Sequence, residues 1–168
     1  MSRIRILTDP PARRSGHQTF ALREDPDGSG SLSVLLVEPA YKDGLTLPGG
    51  SAEQDELPHH AARRHLETET GLALPLRTIL TIDYVPAARF PEGLNLVYAG
   101  GMLTPQQAVT AARHQPPQEI RALRWVPRHQ LRELMTDDQH RRVEDAWDAW
   151  EHGDGIPLLV QGIPVPVS

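Results

Sequence analysis

The sequence predicts a single mixed domain of the α/β (α+β) class. Three observations carry this. Short apolar or alternating runs of strand length recur along the chain. Only a few helical stretches separate them. No internal repeat or interdomain linker interrupts the 168 residues, a length that suits one domain with a real core.

The elements follow in order. Residues 1–16 are rich in Pro and Arg and are expected to form an N-terminal arm or lead-in, with one domain from 17 to 168. His17–Glu24, "HQTFALRE", alternates and reads as a strand; Asp25–Ser31 is dense in turn residues; Leu32–Ala40 is a mostly buried strand. "YKDGLTLPGG" leads into a Pro-Gly-Gly turn. Leu57–Thr70 has helical character, with Pro58 suited to the first helical position and Gly71 a natural stop.

Leu76–Ala87 and Leu94–Leu103 read as strands around the loop "ARFPEG". Thr104–Gln118 reads as a Gln/Ala/Pro-rich excursion, Glu119–Pro127 as a strand and Arg128–Met135 as a short helix. Thr136 is placed to N-cap the last helix, whose first turn carries Asp137 and Asp138. In that helix Val143, Ala146, Trp147 and Trp150 form one apolar stripe, which reads as core packing. Gly153 ends it, and "IPLLVQGIPVPV" is a Pro-punctuated tail with room for one short edge strand.

Composition bounds the function. The net charge of −5 argues against a broad nucleic-acid surface. The absence of cysteine excludes disulfides and thiolate chemistry. No apolar h-region opens the chain, and no apolar run approaches the roughly 18 residues of a membrane helix, so a soluble cytoplasmic protein is expected. Lys42 is the only lysine among the 17 Lys and Arg residues, a skew that says little about function.

The informative stretch is "GGSAEQDELPHHAARRHLETETGL", Gly49–Leu72. Counted from Gly50, it places Glu56, Arg64, Leu66, Glu69, Gly71 and Leu72 at the spacing Gly, five residues, Glu, seven residues, Arg-Glu-apolar-x-Glu-Glu-x-Gly-apolar. In this it resembles the Nudix (MutT-like) hydrolases. "LTLPGG" before the box, an extra acid at Glu53, and "EIRALRWVP" with a short helix after it extend the resemblance over roughly residues 17–152. The resemblance implies the Nudix fold, a mixed β-sheet sandwiched between helices, with the box as loop–helix–loop. It also implies a divalent-metal-dependent pyrophosphohydrolase, with a small-molecule pyrophosphate as partner and a homodimer as one possible assembly.

Two positions depart from the pattern. His65 replaces the Glu after the box arginine, and Thr68 replaces the first of the paired glutamates. Neighbouring Glu67 cannot compensate: at about 100° per residue from His65, Glu69 lies near 40°, Thr68 near 300° and Glu67 near 200°, on the far side. The oxygen donors implied for Mg²⁺ are then Glu69, a Gly49 or Gly50 carbonyl, and Glu56 or Glu53. Glu56 has an open rival role, bracing the loop by pairing with Arg64. Glu119 is the candidate for a further acid from downstream, with Glu92 a weaker one.

His65 lies at i,i+4 from Glu69, so both side chains can reach one ion, and imidazole suits Mn²⁺ or another softer ion better than Mg²⁺. It also titrates near neutrality and could act as a base. The other reading is that it fills a vacated site. His59 and His60 read as exposed polar residues. For the substrate, Arg64, Phe90 and Tyr84 are the candidate contacts; Phe90, Tyr84 and Tyr98 could stack on a base or line a pocket, but core packing is the better reading. Two functions stay open. One is a Nudix-type hydrolase of a nucleoside-diphosphate-linked or related organic pyrophosphate, with an altered metal site. The other is a catalytically silent or repurposed Nudix domain that binds a nucleotide-like ligand or a partner.

Overall fold

The computed structural model describes residues 12–157, 159–160 and 163–164. Its strands are β1 (Arg14–Glu24), β2 (Leu32–Pro39), β3 (Gly49–Ser51), β4 (Thr78–Val85), β5 (Gly93–Met102), β6 (Ile120–Pro127) and β7 (Ile156–Pro157). Its helices are α1 (Pro58–Thr70), α2 (Pro105–Arg113), α3 (Leu131–Leu134) and α4 (Asp137–His152), with a 3-10 turn at Arg128–Gln130. The sheet runs β6-β2-β1-β5-β4-β7, with β3 on β1. Among the strand pairs of this sheet, β1 with β5 is parallel and the others are antiparallel, so the sheet is mixed. Leu159–Val160 and Ile163–Pro164 form a separate antiparallel pair; the expectations for residues 1–11 and for the rest of the tail lie outside the described residues.

Period-2 alternation explains the two cores. Phe20, Leu22, Val34, Leu36 and Val97 point to one face and pack with Val143, Ala146 and Trp147 of α4. Ala21, Leu35 and Tyr98 point to the other and pack with Ala62 and Leu66 of α1 and Ala111 of α2. The sheet is thus sandwiched between helices. The stripe on α4 is core as expected, with Trp150 partly buried at its edge.

One feature of the sheet positions the site. β1 and β2 pair only over Leu22–Glu24 and Leu32–Val34, next to their hairpin. Beyond that they part, and residues 46–51 fill the gap. Val37 and Thr46 exchange backbone hydrogen bonds, the Thr19 amide donates to the Pro48 carbonyl, and β3 pairs with Gly16–Gln18. The Pro-Gly-Gly turn is thereby wedged into the sheet instead of lying over it.

Three expectations change. β1 begins at Arg14, three residues early, because Arg14–Gly16 pair with Gly93–Asn95 of β5. The Thr104–Gln118 excursion, given no element in the sequence, contains α2, started by a capping box in which Thr104 Oγ1 accepts from the Gln107 amide and Gln107 Oε1 accepts from the Thr104 amide. Thr136 occupies the N-cap of α4, but its hydroxyl donates to Asp138 at 2.7 Å and makes no side-chain bond to the helix backbone.

Candidate active site: the box turn and the cleft above it

The site starts at two glycines, the first of which is required by its backbone and the second by its close approach to a side chain. Gly49 has φ +149, and a Cβ there would overlap the His17 carbonyl and Gln18 backbone. Gly50 lies close against the His65 ring, and a Cβ there would overlap the imidazole unless that ring moved. A side chain at Gly49 would overlap the backbone of β1.

Helix α1 starts at Pro58, with Leu57 at the N-cap in extended conformation, and ends at Gly71 in the left-handed region. It buries Ala61, Ala62 and Leu66 against the sheet, which aims Glu69 at the turn. Glu69 is 9% exposed, and its Oε2 accepts from the Gly49 amide at 3.0 Å. Burial pushes its pKa up to about 7, with Glu119 adding to the rise; the Gly49 hydrogen bond and Lys42 oppose it. This carboxylate is poised to change charge near neutrality. Glu67 and Thr68 are exposed.

His65 is brought to the same place. Its Nε2 meets the Ser51 carbonyl at 3.0 Å, a contact in which Nε2 must donate. In the neutral ring this leaves the lone pair on Nδ1, which faces Glu69 Oε1 at 4.0 Å. The Glu69–His65 pair is therefore two open donor atoms beside the glycine turn. Among the described residues no group of three or more His, Asp or Glu could hold an ion. The pair falls short of a closed protein cage; it fits an ion bound by one or two protein donors plus phosphates of a ligand, a usual arrangement for such ions.

Glu56 sits apart from that pair. Its two carboxylate oxygens take Arg64 Nε at 2.8 Å and Nη2 at 2.7 Å, and Oε2 also accepts from the Glu53 amide at 2.9 Å. The Arg64 hydrogen bonds hold its carboxyl down at about 2. Arg64 also donates to the Ser51 carbonyl at 3.3 Å. Both residues are thus committed to bracing the loop, and Arg64 has its guanidinium turned to Glu56 and Ser51.

Above the turn opens a cleft of about 380 Å³. Gly49, Gly50 and Ser51 form one side, Arg14 and Lys42 bring cations, and Phe90 with Val85 stands at another wall. Phe90 is 59% exposed, with the Arg14 guanidinium 5.8 Å from its ring centroid. Its loop is anchored by Arg14 Nε to the Pro91 carbonyl at 2.7 Å and by Arg13 to Glu92 at 2.6 Å. Tyr84 does not reach this cleft: it lines a neighbouring groove, and its hydroxyl donates to Glu92 at 2.6 Å. Tyr98 is fully buried in the core, bonded to His17 Nδ1 at 3.1 Å. Glu119 is exposed just before β6, close enough for its charge to raise Glu69 and Tyr41.

Sequence reasoning missed the floor of the cleft. Arg142 is 4% exposed inside α4 and donates to Asp83 through Nε at 2.8 Å, to Gln139 at 3.0 Å and to Gln18 at 3.3 Å. Lys42, the lone lysine, has its pKa lowered by partial desolvation and by Arg142, while Asp138 and Glu69 pull the other way. Buried His17, its pKa lowered chiefly by burial, also lines the floor. The only sequence signal was polar residues interrupting apolar runs.

No curated protein of known function matches the sequence. Solved structures do share the fold. The NUDIX domain of Shewanella oneidensis NrtR complexed with ADP ribose is 18% identical and superposes with a TM-score of 0.64, covering 88% of this chain and 98% of that one. A mutT/nudix family protein from Listeria innocua is 17% identical, with a TM-score of 0.68 over 86% and 98%. A C. elegans Ap4A hydrolase binary complex is 15% identical, with a TM-score of 0.62 over 83% and 98%. The family profile described as NUDIX domain matches residues 18–147, and with the box in register and the brace formed, this chain belongs to the Nudix family.

Proposed function

We propose that this chain is a cytoplasmic Nudix hydrolase of an organic pyrophosphate of the nucleoside-diphosphate-linked kind, with an altered metal site that is completed by the substrate. The observation that carries this reading is the pairing of Glu69 Oε1 with His65 Nδ1 beside the Gly49–Gly50 turn, which itself lines a cleft bearing Arg14 and Lys42. The two cations supply the charge that draws a diphosphate into the cleft. A bound divalent ion would neutralise phosphate charge and activate water there. Glu69 Oε1 and His65 Nδ1 are the atoms that would hold it, and imidazole favours Mn²⁺ over Mg²⁺. Glu69 Oε2 stays fixed by the Gly49 amide, and the Arg64–Glu56 brace keeps the turn in place under it. Neighbouring structures with ADP ribose and from an Ap4A hydrolase are consistent with this ligand class.

A second reading is a silent domain that binds the same ligands. It is favoured by the single box carboxylate on the turn-facing side of α1. Turnover separates the two, and calorimetry tests the metal site on which the hydrolase reading depends. Mn²⁺ should bind the free protein weakly and bind at least roughly 10-fold tighter when α,β-methylene ADP or a similar inert diphosphate is present. His65→Ala should remove that gain. Tight Mn²⁺ binding without any diphosphate, or coupling untouched by Glu69→Gln, would overturn the proposed site.

A further inference from the structure

The polar floor of the cleft is a closed hydrogen-bond ring, and its direction is fixed by chemistry. Arg142 can only donate. Its Nη1 donates to Gln18 Oε1 at 3.3 Å and to Gln139 Oε1 at 3.0 Å. Gln18 therefore turns its amide nitrogen to Thr46, donating to Oγ1 at 3.1 Å. The single Thr46 proton is left for Gln139 Oε1, 3.0 Å away. Both lone pairs of Gln139 Oε1 are then occupied. Its Nε2 has no hydrogen-bond partner among the described residues, and the side chain lines the cleft. Gln139 can offer a ligand donors and nothing else.

The charges around it say what sort of group docks there. Asp83 and Asp138 flank the single charge of Arg142, with Asp83 bonded to it and Asp138 at 4.0 Å. Arg142 is thus already neutralised and offers phosphate no free charge, which leaves Arg14 and Lys42 as the cations of the cleft for phosphate. Phe90 and Val85 add an apolar surface for a planar group.

Resting on the pyrophosphate-ligand reading above, we propose that Gln139 is a specificity-determining residue that selects a nucleobase with an oxo group over one with an exocyclic amine. A free glutamine can pair with adenine using its oxygen and nitrogen together. Here the oxygen is spent inside the ring, so a base that turns its exocyclic group to Gln139 sets an amine against another donor. An oxo base presents an acceptor instead. A site built on such a fixed polar group rejects the mismatched analogue strongly, because buried polar groups are left unpaired.

Matched pairs test this, since inosine 5′-diphosphate and adenosine 5′-diphosphate differ at the base by oxo against amino, as do the uridine and cytidine diphosphates. Calorimetry on the full chain should show the oxo member of each pair binding roughly 10-fold tighter or more. Gln139→Leu should bring each pair within about twofold of equality. Gln139→Glu, which presents acceptors only, should reverse the preference. Thr46→Val frees one lone pair of Gln139 and should weaken the preference while the affinity for the amino members rises. Binding of all four diphosphates without preference, or a preference that survives Gln139→Leu, overturns the assignment and leaves the pyrophosphate reading standing. Binding of none of them overturns both.

Discussion

Replacing Glu69 by Gln should stabilise the protein while sharply reducing its activity, and the gain should depend on pH. The carboxyl is 9% exposed and its pKa is raised from 4.5 to about 7 by burial. The folded state thus binds a proton more tightly than the unfolded state, so ionisation costs stability as pH rises from 4.5 through 7. For a shift of this size, linkage gives a cost of about 1 kcal/mol at pH 5 and about 3 kcal/mol at pH 8. Glutamine keeps the size of the side chain and an acceptor for the Gly49 amide, and it carries no charge to bury. The variant should therefore gain about 2 kcal/mol more over wild type at pH 8 than at pH 5, roughly 4–8 °C in Tm. Differential scanning calorimetry without divalent metal reads this directly. An equal change at both pH values, or destabilisation at pH 8, would refute the reasoning that Glu69 carries an unneutralised charge awaiting a cation. Activity should fall in parallel, with kcat/KM lower by on the order of 10²-fold, or about 2.7 kcal/mol.

The other predictions follow from the same geometry. At limiting metal, kcat/KM should rise as pH passes through about 7, because the ionised Glu69 is the form that holds a cation; a flat profile between pH 6 and 8 would count against this. Restoring the family acids with His65→Glu and Thr68→Glu should raise Mg²⁺-dependent turnover and weaken the preference for Mn²⁺, read from steady-state rates in the two ions. Arg64→Ala should unhook the box loop from Glu56, costing about 1–2 kcal/mol in chemical denaturation and raising KM, whereas a purely surface pair would leave KM unchanged. Thr104→Ala should cost about 1 kcal/mol by removing the cap of α2, with no change in ligand affinity at the cleft.

The fold was legible where local chemistry and tertiary packing agree. Pro58 and Gly71 bound α1, and the Val143–Trp147 stripe reports the core, because both are local patterns that the sheet then uses. Helix α2 was missed because Ala111 is its only buried residue; its signal was the Thr104–Gln107 capping box, not an apolar stripe. In the site, the box spacing placed Glu69, His65, Glu56 and Arg64 together, since all four lie within one loop and helix. The cleft floor was not legible. Gln18, Thr46, Asp83 and Arg142 come from four separate segments of the chain, up to 124 positions apart, and only the packing of α4 on β1 and β4, with residue 46 set beside β1, brings them into contact. Tyr84 lies apart from the cleft for a related reason: the bond of its hydroxyl to Glu92 holds it at the neighbouring groove.

The central claim is that one carboxylate and one imidazole suffice here because the substrate brings the remaining ligands of the ion. The most direct measurement is product release from a panel of nucleoside-diphosphate-linked compounds and dinucleoside polyphosphates, with Mn²⁺ and with Mg²⁺, for the wild type and Glu69→Gln. The account predicts hydrolysis by the wild type that is faster with Mn²⁺ and lost in Glu69→Gln. A wild type silent on every compound with either ion, gaining activity only when His65→Glu and Thr68→Glu are introduced, would contradict it and assign the domain to ligand binding alone.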